Sequence, residues 1–303
     1  MFRLAIVGLA LSALGFGGIA CSPSHAYHDG PDDLAKFSDE FGDSATLSNW
    51  KRVYQTEGWG ANQLQLIDIN KTQKGALVLV PYASTWYKDL RGELTYKEIE
   101  GDFVMTTRVR STGRDGRSAP RAQFSLAGIM IRSPRQVTPQ SWQPGGENYV
   151  FLSLGAADNP GNFQWEVKTT INSDSQLITS PAGGPEGYIQ VARIGGDLIM
   201  LRNDGNGWSV HRRYRRTDMP KTLQAGLTVY TDWPSCQNLN ARQHNATVLR
   251  SGNPDLIAQF DFVRYHRPNV PASLRGKNLS EQGQVSDAQL LSFLGEKAAA
   301  AGS

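Results

Sequence analysis

Three carboxylates recur at every second position in Tyr96-Lys-Glu-Ile-Glu-Gly-Asp-Phe-Val-Met-Thr-Thr-Arg108: Glu98, Glu100 and Asp102. In an extended chain, residues two apart point to the same face. This stretch could therefore present paired acids of the kind that cleave glycosidic bonds, one as acid/base and one as nucleophile. Strand rise separates Glu98 from Glu100 by about 6.6 Å and Glu98 from Asp102 by about 13 Å, whereas a retaining pair needs carboxyl groups about 5–5.5 Å apart. Side-chain adjustment brings Glu98 and Glu100 within that reach. Asp102 is shorter, and Gly101 weakens the strand and suggests a bend. The competing reading is a decorated sheet surface, and it outweighs catalysis because the constellation is incomplete.

A second group pairs aromatic rings with polar side chains. Ser141-Trp-Gln-Pro-Gly-Gly-Glu-Asn-Tyr149 places Trp142, Glu147, Asn148 and Tyr149 around a glycine-rich turn; Trp165-Glu166 and Asp232-Trp233 repeat the motif. The flat faces of sugar rings stack on Trp and Tyr while acids and amides fix the hydroxyls. Against this, most of the seven Trp of a large sandwich belong to packing. Trp50 and Trp208 are assigned to packing, and Trp142 and Trp233, beside turns, are expected at the surface.

Oxygen ligands for calcium occur at Asp39, Asp43 and Asp204, in sequences that are equally ordinary turns. His25, His28, His211, His244 and His266 lack zinc spacing. No nucleophile elbow, phosphate-binding loop or dinucleotide fingerprint appears, so no organic cofactor is expected. The basic run His211-Arg-Arg-Tyr-Arg-Arg216 divides its charge between two strand faces and reads as a protected edge strand.

These residues need a scaffold, and the composition indicates which. At 19% charged and 39% hydrophobic residues, with 31 Gly and 15 Pro, the chain of 303 residues is globular and rich in turns. A formal charge of +3 is too small for a dedicated nucleic-acid binder. Residues 1–26 read as an export signal: Arg3 precedes an apolar run from Leu4 to Ala20. Gly18-Ile-Ala-Cys21 resembles a bacterial lipobox, which would make Cys21 a lipidated first residue and tie the protein to a membrane. Ser24-His25-Ala26 suits ordinary signal peptidase, giving a periplasmic or extracellular protein; the lipoprotein reading is preferred. Either route leaves Cys236 without an intrachain partner, hence no disulfide framework.

From Phe37 to Arg267 apolar residues alternate with period two. Runs at 63–68, 76–80, 102–110, 124–132, 148–155, 163–170, 187–195, 197–202, 207–216, 223–232 and 255–268 are bounded by Gly, Pro, Asn and Asp. Gly195-Gly196 and Asn203-Asp-Gly-Asn-Gly207 suggest tight hairpins. No long amphipathic helix intervenes, which excludes βαβ construction. The expectation is an all-β, two-sheet antiparallel sandwich over 37–268, a linker over 269–285, and a short helix over 286–300 opened by the capping box Ser286-Asp-Ala-Gln289. That helix docks on its own domain or on a protein partner.

Phe37-Ser-Asp-Glu-Phe-Gly-Asp-Ser-Ala-Thr-Leu-Ser-Asn-Trp50 resembles the opening Asp-x-Phe…Leu-x-x-Trp segment of the concanavalin A-like lectin/glucanase superfamily. Glu98-Ile-Glu-Gly-Asp-Phe-Val-Met-Thr-Thr-Arg-Val109, Ala127-Gly-Ile-Met-Ile-Arg132 with Trp142, and Gly145-Gly-Glu-Asn-Tyr-Val-Phe-Leu152 are similar to accessory sandwiches found C-terminal in β-xylosidases, and to their free-standing relatives. The resemblance implies a jelly roll whose concave face contacts carbohydrate, and it makes a structural calcium ion possible. Catalytic members display Glu-x-Asp-x-Glu; Glu98-Ile-Glu100-Gly-Asp102 departs from that order, so no catalytic pair is carried over. Three functions follow as expectations. The first is an exported bacterial protein that binds carbohydrate or another surface ligand without chemistry. The second is a glycoside hydrolase using Glu98 and Glu100, and the third is an envelope assembly protein.

Overall fold

The computed structural model describes residues 32–295; Cys21 and the export signal lie outside the described residues. In chain order the strands are β1 (Lys51–Arg52), β2 (Leu64–Ile69), β3 (Leu77–Pro81), β4 (Glu93–Glu100), β5 (Phe103–Thr112), β6 (Ser125–Arg132) and β7 (Tyr149–Ala156). They continue with β8 (Gln164–Ile171), β9 (Asp174–Pro181), β10 (Glu186–Ile194), β11 (Asp197–Asn203), β12 (Ser209–Arg215), β13 (Thr222–Tyr230) and β14 (Ile257–His266). They build two antiparallel seven-stranded sheets, sheet I in the order β1-β4-β13-β6-β7-β8-β9 and sheet II in the order β12-β11-β10-β5-β14-β3-β2. This is the two-sheet sandwich expected from the alternation, in the jelly-roll form that the resemblance implies.

Period-two patterning sends one set of each strand's side chains between the sheets. Ile99, Ile129, Ile131, Leu152, Val167 and Leu227 from sheet I meet Phe103, Met105, Val109, Val191 and Phe260 from sheet II in one continuous core. Gly187 of β10 faces Trp165 of β8 across this core: a Cβ at 187 would lie 2.6 Å from the indole. The indole packs directly on the backbone of β10 there.

The chain crosses from one sheet to the other at Gly101-Asp102, where Gly101 takes φ +77°. The expected bend is therefore a corner. Asp102 Oδ1 accepts from the Gly195 N–H at 2.7 Å, and Arg267 donates to the carbonyls of Glu100 (2.8 Å) and Asp102 (2.6 Å).

Each sheet carries a cover over part of its outer face. On sheet II, Val104, Ala192, Ile194, Ile199 and Leu201 are buried under Val270, Leu274, Leu279, Val285, Leu290 and Leu294. Residues 269–285 thus lie packed on the sheet rather than spanning open space. Their apolar residues sit at irregular intervals along irregular chain, so no period betrays them. The capping box forms at Ser286 and opens a single-turn helix, Asp287–Leu291. Arg213 of β12 ties this segment down, donating to the carbonyls of Leu279 (3.2 Å) and Val285 (2.6 Å) and pairing with Asp287. The basic run forms the edge strand β12, as expected, with Arg212 and Arg215 exposed; Arg216 alone is buried and donates to the carbonyls of Tyr149 (3.2 Å) and Thr170 (3.0 Å) in the opposite sheet.

Candidate functional site

The outer face of sheet I is where the sequence places most candidate ligand contacts, and loops fill much of it. Tyr96, Met130, Tyr149, Phe151 and Tyr230 point outward from the sheet and are buried under Val53 and Trp86. The covering layer comes from the helical turn Val53–Thr56, residues 82–92, residues 133–147 and residues 232–253.

Charge holds this layer. Arg132, on β6, is wholly buried, and its guanidinium meets Glu147 Oε2 at 2.7 Å, Glu57 Oε1 at 2.7 Å and Gln224 Oε1 at 2.7 Å. Arg135 Nη1 reaches Glu147 Oε1 at 2.9 Å, and Arg91 pairs with Glu57. Burial alone would raise the Glu147 carboxyl; Arg132, then Arg91 and Arg135, overcome it and hold the pKa at about 2. Desolvation moves Arg91 the other way, down to about 9. Trp59 and Trp142 meet edge to face at 5.7 Å, with Arg91 4.5 Å above the Trp59 ring and Arg242 5.5 Å from Trp142. His244, buried behind them, is pushed down to about 4 by desolvation.

Many expected contact residues are therefore internal. Trp142 is 3% exposed, contrary to its expected surface position, because its turn folds back across the sheet instead of projecting from it. Glu147, Tyr149, Trp165 and Glu166 are fully buried, and Asn148 is half-buried with its amide oxygen accepting from the Asn172 N–H at 2.9 Å. Asp232 is buried and accepts from the Asn253 N–H at 2.6 Å. Among the described residues no group of three or more His, Cys, Asp or Glu is placed to hold a metal ion. Asp39 accepts from the Phe41 N–H (2.9 Å) and Trp50 Nε1 (3.0 Å), Asp43 caps a 3₁₀ turn, and Asp204 sits in the β11–β12 turn.

Glu98 and Glu100 do share a place. With Asp33, Asp102, Arg193, Arg215 and Arg267 they line a cleft of about 990 Å³ at the corner end of the sandwich. Each carboxylate has a lysine: Lys51 for Glu98 and Lys221 for Glu100, both at 2.5 Å. The Lys221 hydrogen bond and charge lower the Glu100 pKa, the reverse of what a general acid needs.

One part of the sheet I face stays open. Toward β9, Tyr87, Phe124 and Trp233 are each half-buried and Leu177 is exposed. Tyr87 and Trp233 meet edge to face at 5.4 Å. Trp233 is held beside Phe124 by its N–H, which donates to the Gln123 carbonyl at 3.1 Å. Beneath them Lys168 Nζ lies 5.6 Å from the Tyr87 ring and 6.0 Å from Phe124. It donates to the Trp86 carbonyl at 2.7 Å and pairs with Glu166 at 3.0 Å, while Tyr230 donates to Glu166 at 3.1 Å. Polar groups flank the rings: exposed Asp158, accepting from Thr179 Oγ1 at 3.3 Å, on one side, and Lys88, whose N–H donates to Ser175 Oγ at 2.8 Å, on the other. Sequence reasoning found Trp233 but missed Tyr87 and Phe124. Tyr87 lies mid-loop between β3 and β4, and Phe124, beside the start of β6, takes φ +53°, a backbone no pattern announces.

No protein-family model and no curated protein sequence matches the chain. Solved structures do. The xylan β-1,4-xylosidase of Bacillus halodurans superposes with a TM-score of 0.52 at 13% identity, covering 82% of this chain and 41% of that one. The GH43 protein BlXynB of Bacillus licheniformis gives 0.50 at 12% identity, covering 77% and 39%. The chain thus spans about two fifths of each of these bacterial proteins. A functionally unknown protein from Saccharomyces cerevisiae gives 0.51 at 14% identity and is covered over 98% of its length, with 73% of this chain. The chain has the concanavalin A-like jelly-roll fold.

Proposed function

We propose that this protein binds carbohydrate on the ledge formed by Tyr87, Phe124 and Trp233 and performs no chemistry on it. The observation that carries the reading is three half-exposed aromatic rings gathered on an otherwise covered sheet face, with Asp158, Thr179, Ser175 and Lys88 at their margins. Flat rings supply stacking surface, and the marginal hydroxyls, carboxylate and ammonium supply hydrogen bonds to sugar hydroxyls. The lysine partners of Glu98 and Glu100, and the exposure of both, speak against a hydrolytic role for the cleft. Export with a lipid on Cys21 is part of the proposal and rests on the N-terminal sequence.

Affinity electrophoresis against a panel of β-linked glucans, xylans and mannans tests it. The wild type should be retarded by at least one polymer, and Trp233→Ala should lose most of that retardation while Glu100→Gln keeps it. Retention of binding in Trp233→Ala, or release of reducing sugar that Glu100→Gln abolishes, would overturn the reading.

A further inference from the structure

Four strands end the two sheets, and three of them are blocked against pairing with another strand. β1 has two residues. β12 carries Arg212, Arg213 and Arg215, has an irregular register opposite Met200 and Leu201, and is bound to the C-terminal segment through Arg213. β2 has a register shift between Leu64 and Leu66. Short length, charge and bulges are the devices by which edge strands avoid association.

β9 is neither short nor bulged, and its one charge, Asp174, stands at its end. Its eight residues run in unbroken register against β8, from Gln164 opposite Pro181 to Ile171 opposite Asp174. No charge lies between Asp174 and Pro181 in Asp-Ser-Gln-Leu-Ile-Thr-Ser-Pro. Of the four large hydrophobic residues most exposed among those described, three are here or one turn away: Ile171 (44%), Leu177 (36%) and Ile178 (44%). An open, regular edge that exposes Leu177 and Ile178 is a template for a further strand.

The geometry also says which residues face outward. The β8–β9 turn is Asn172-Ser173, with φ 48° and 65°, the two-residue type whose flanking residues form a hydrogen-bonded pair. The Ala182 N–H donates to the Phe163 carbonyl at 2.9 Å, in phase with that pattern. Even-numbered residues of β9 thus bond to β8, and Ser175, Leu177 and Thr179 turn their backbone groups away from the sheet.

We propose that β9 pairs with β9 of a second copy of this chain, antiparallel about a two-fold axis at Leu177, joining two copies of sheet I into one sheet. A second copy is the occupant because the edge complements itself. About that axis Leu177 meets Leu177, Ser175 meets Thr179, and Gln176 meets Ile178. Asp174 comes opposite Ser180, whose hydroxyl already accepts from Arg202 at 3.2 Å. The exposed Asp174 of each copy is thereby set beside the Arg202 guanidinium of the other, twice over. An isologous interface needs this self-complementarity.

Hydrogen-bonded antiparallel partners have Cα atoms about 5.5 Å apart, within the range a disulfide spans. Single cysteines placed at 175 through 180 in the full exported chain, read on non-reducing gels, test strand and register together. Leu177→Cys should form a covalent dimer several-fold more readily than any other position. Sedimentation velocity of the purified wild-type protein over a concentration series should show a dimer that Leu177→Lys abolishes. With Leu177→Lys, thermal unfolding and the circular dichroism of the monomer serve as controls for folding. A monomeric wild type, a dimer untouched by Leu177→Lys, or cross-linking that is uniform or maximal elsewhere would overturn the proposal.

Discussion

Both sheets carry a cover on their outer face, and the two covers are built from different physics. Sheet II is capped by aliphatic residues of the C-terminal segment, with Val285 and Leu290 at the centre. Sheet I is capped by loops that bring arginines and glutamates together around Arg132, with Trp59, Trp86 and Trp142 as filler. Apolar burial stabilises roughly in proportion to area and tolerates loss of one contact. A buried ionic group is conditional: complete, it holds one arrangement; with a partner removed, it leaves a charge stranded in low dielectric. Cover I also leaves Trp59 Nε1, Trp142 Nε1 and His244 Nε2 without a hydrogen-bond partner among the described residues, and each such group costs free energy. Cover I is therefore the brittle one.

The largest expected effect comes from breaking that arrangement at its hub. Arg132→Met removes the cation that Glu57 and Glu147 share, leaving each with a single arginine, and the loss expected in urea unfolding is about 3–5 kcal/mol. A loss below that measured for a single aliphatic truncation in cover II would contradict the contrast. Acid sharpens it next. Glu147, held at about 2, and His244, held at about 4, both have folded pKa values below their ordinary ones. Each contributes stability that is complete above its unfolded pKa and is lost as pH falls through its folded one. For His244 the loss begins below about pH 6.5 and for Glu147 below about pH 4.3. Hydrogen exchange at decreasing pH should show amides of 53–59 and 133–147 losing protection before those of 285–294. The smallest effect is Val285→Ala in cover II, about 1.5 kcal/mol and unchanged between pH 7 and pH 4 in the same urea assay.

Strands that are buried in the sandwich were legible in the sequence. The alternation in β5, β6, β7 and β13 gives their positions within a residue or two, and Gly195-Gly196 marks its hairpin. β9 was not legible, because a strand with little buried on either face shows no period; its polar sequence is itself a mark of the sheet's edge. The candidate site was legible in part. Trp233 stands beside a turn that leaves it open, whereas Trp142 stands beside a turn that folds inward, and local sequence does not separate the two. Arg132 and Glu57 are 75 positions apart in the chain, Arg91 and Glu57 34 apart, and only the assembled face brings them together.

The contact of Gly187 with Trp165 carries a consequence for how the sequence can vary. Where an indole lies directly on backbone, the missing methyl sets the clearance, and even alanine would have to displace the Trp165 ring. At Gly183 and Gly184, one loop earlier, nothing lies within 4 Å of a substituent. A randomised library sorted for soluble, folded molecules should return glycine at 187 and a broad mixture at 183 and 184.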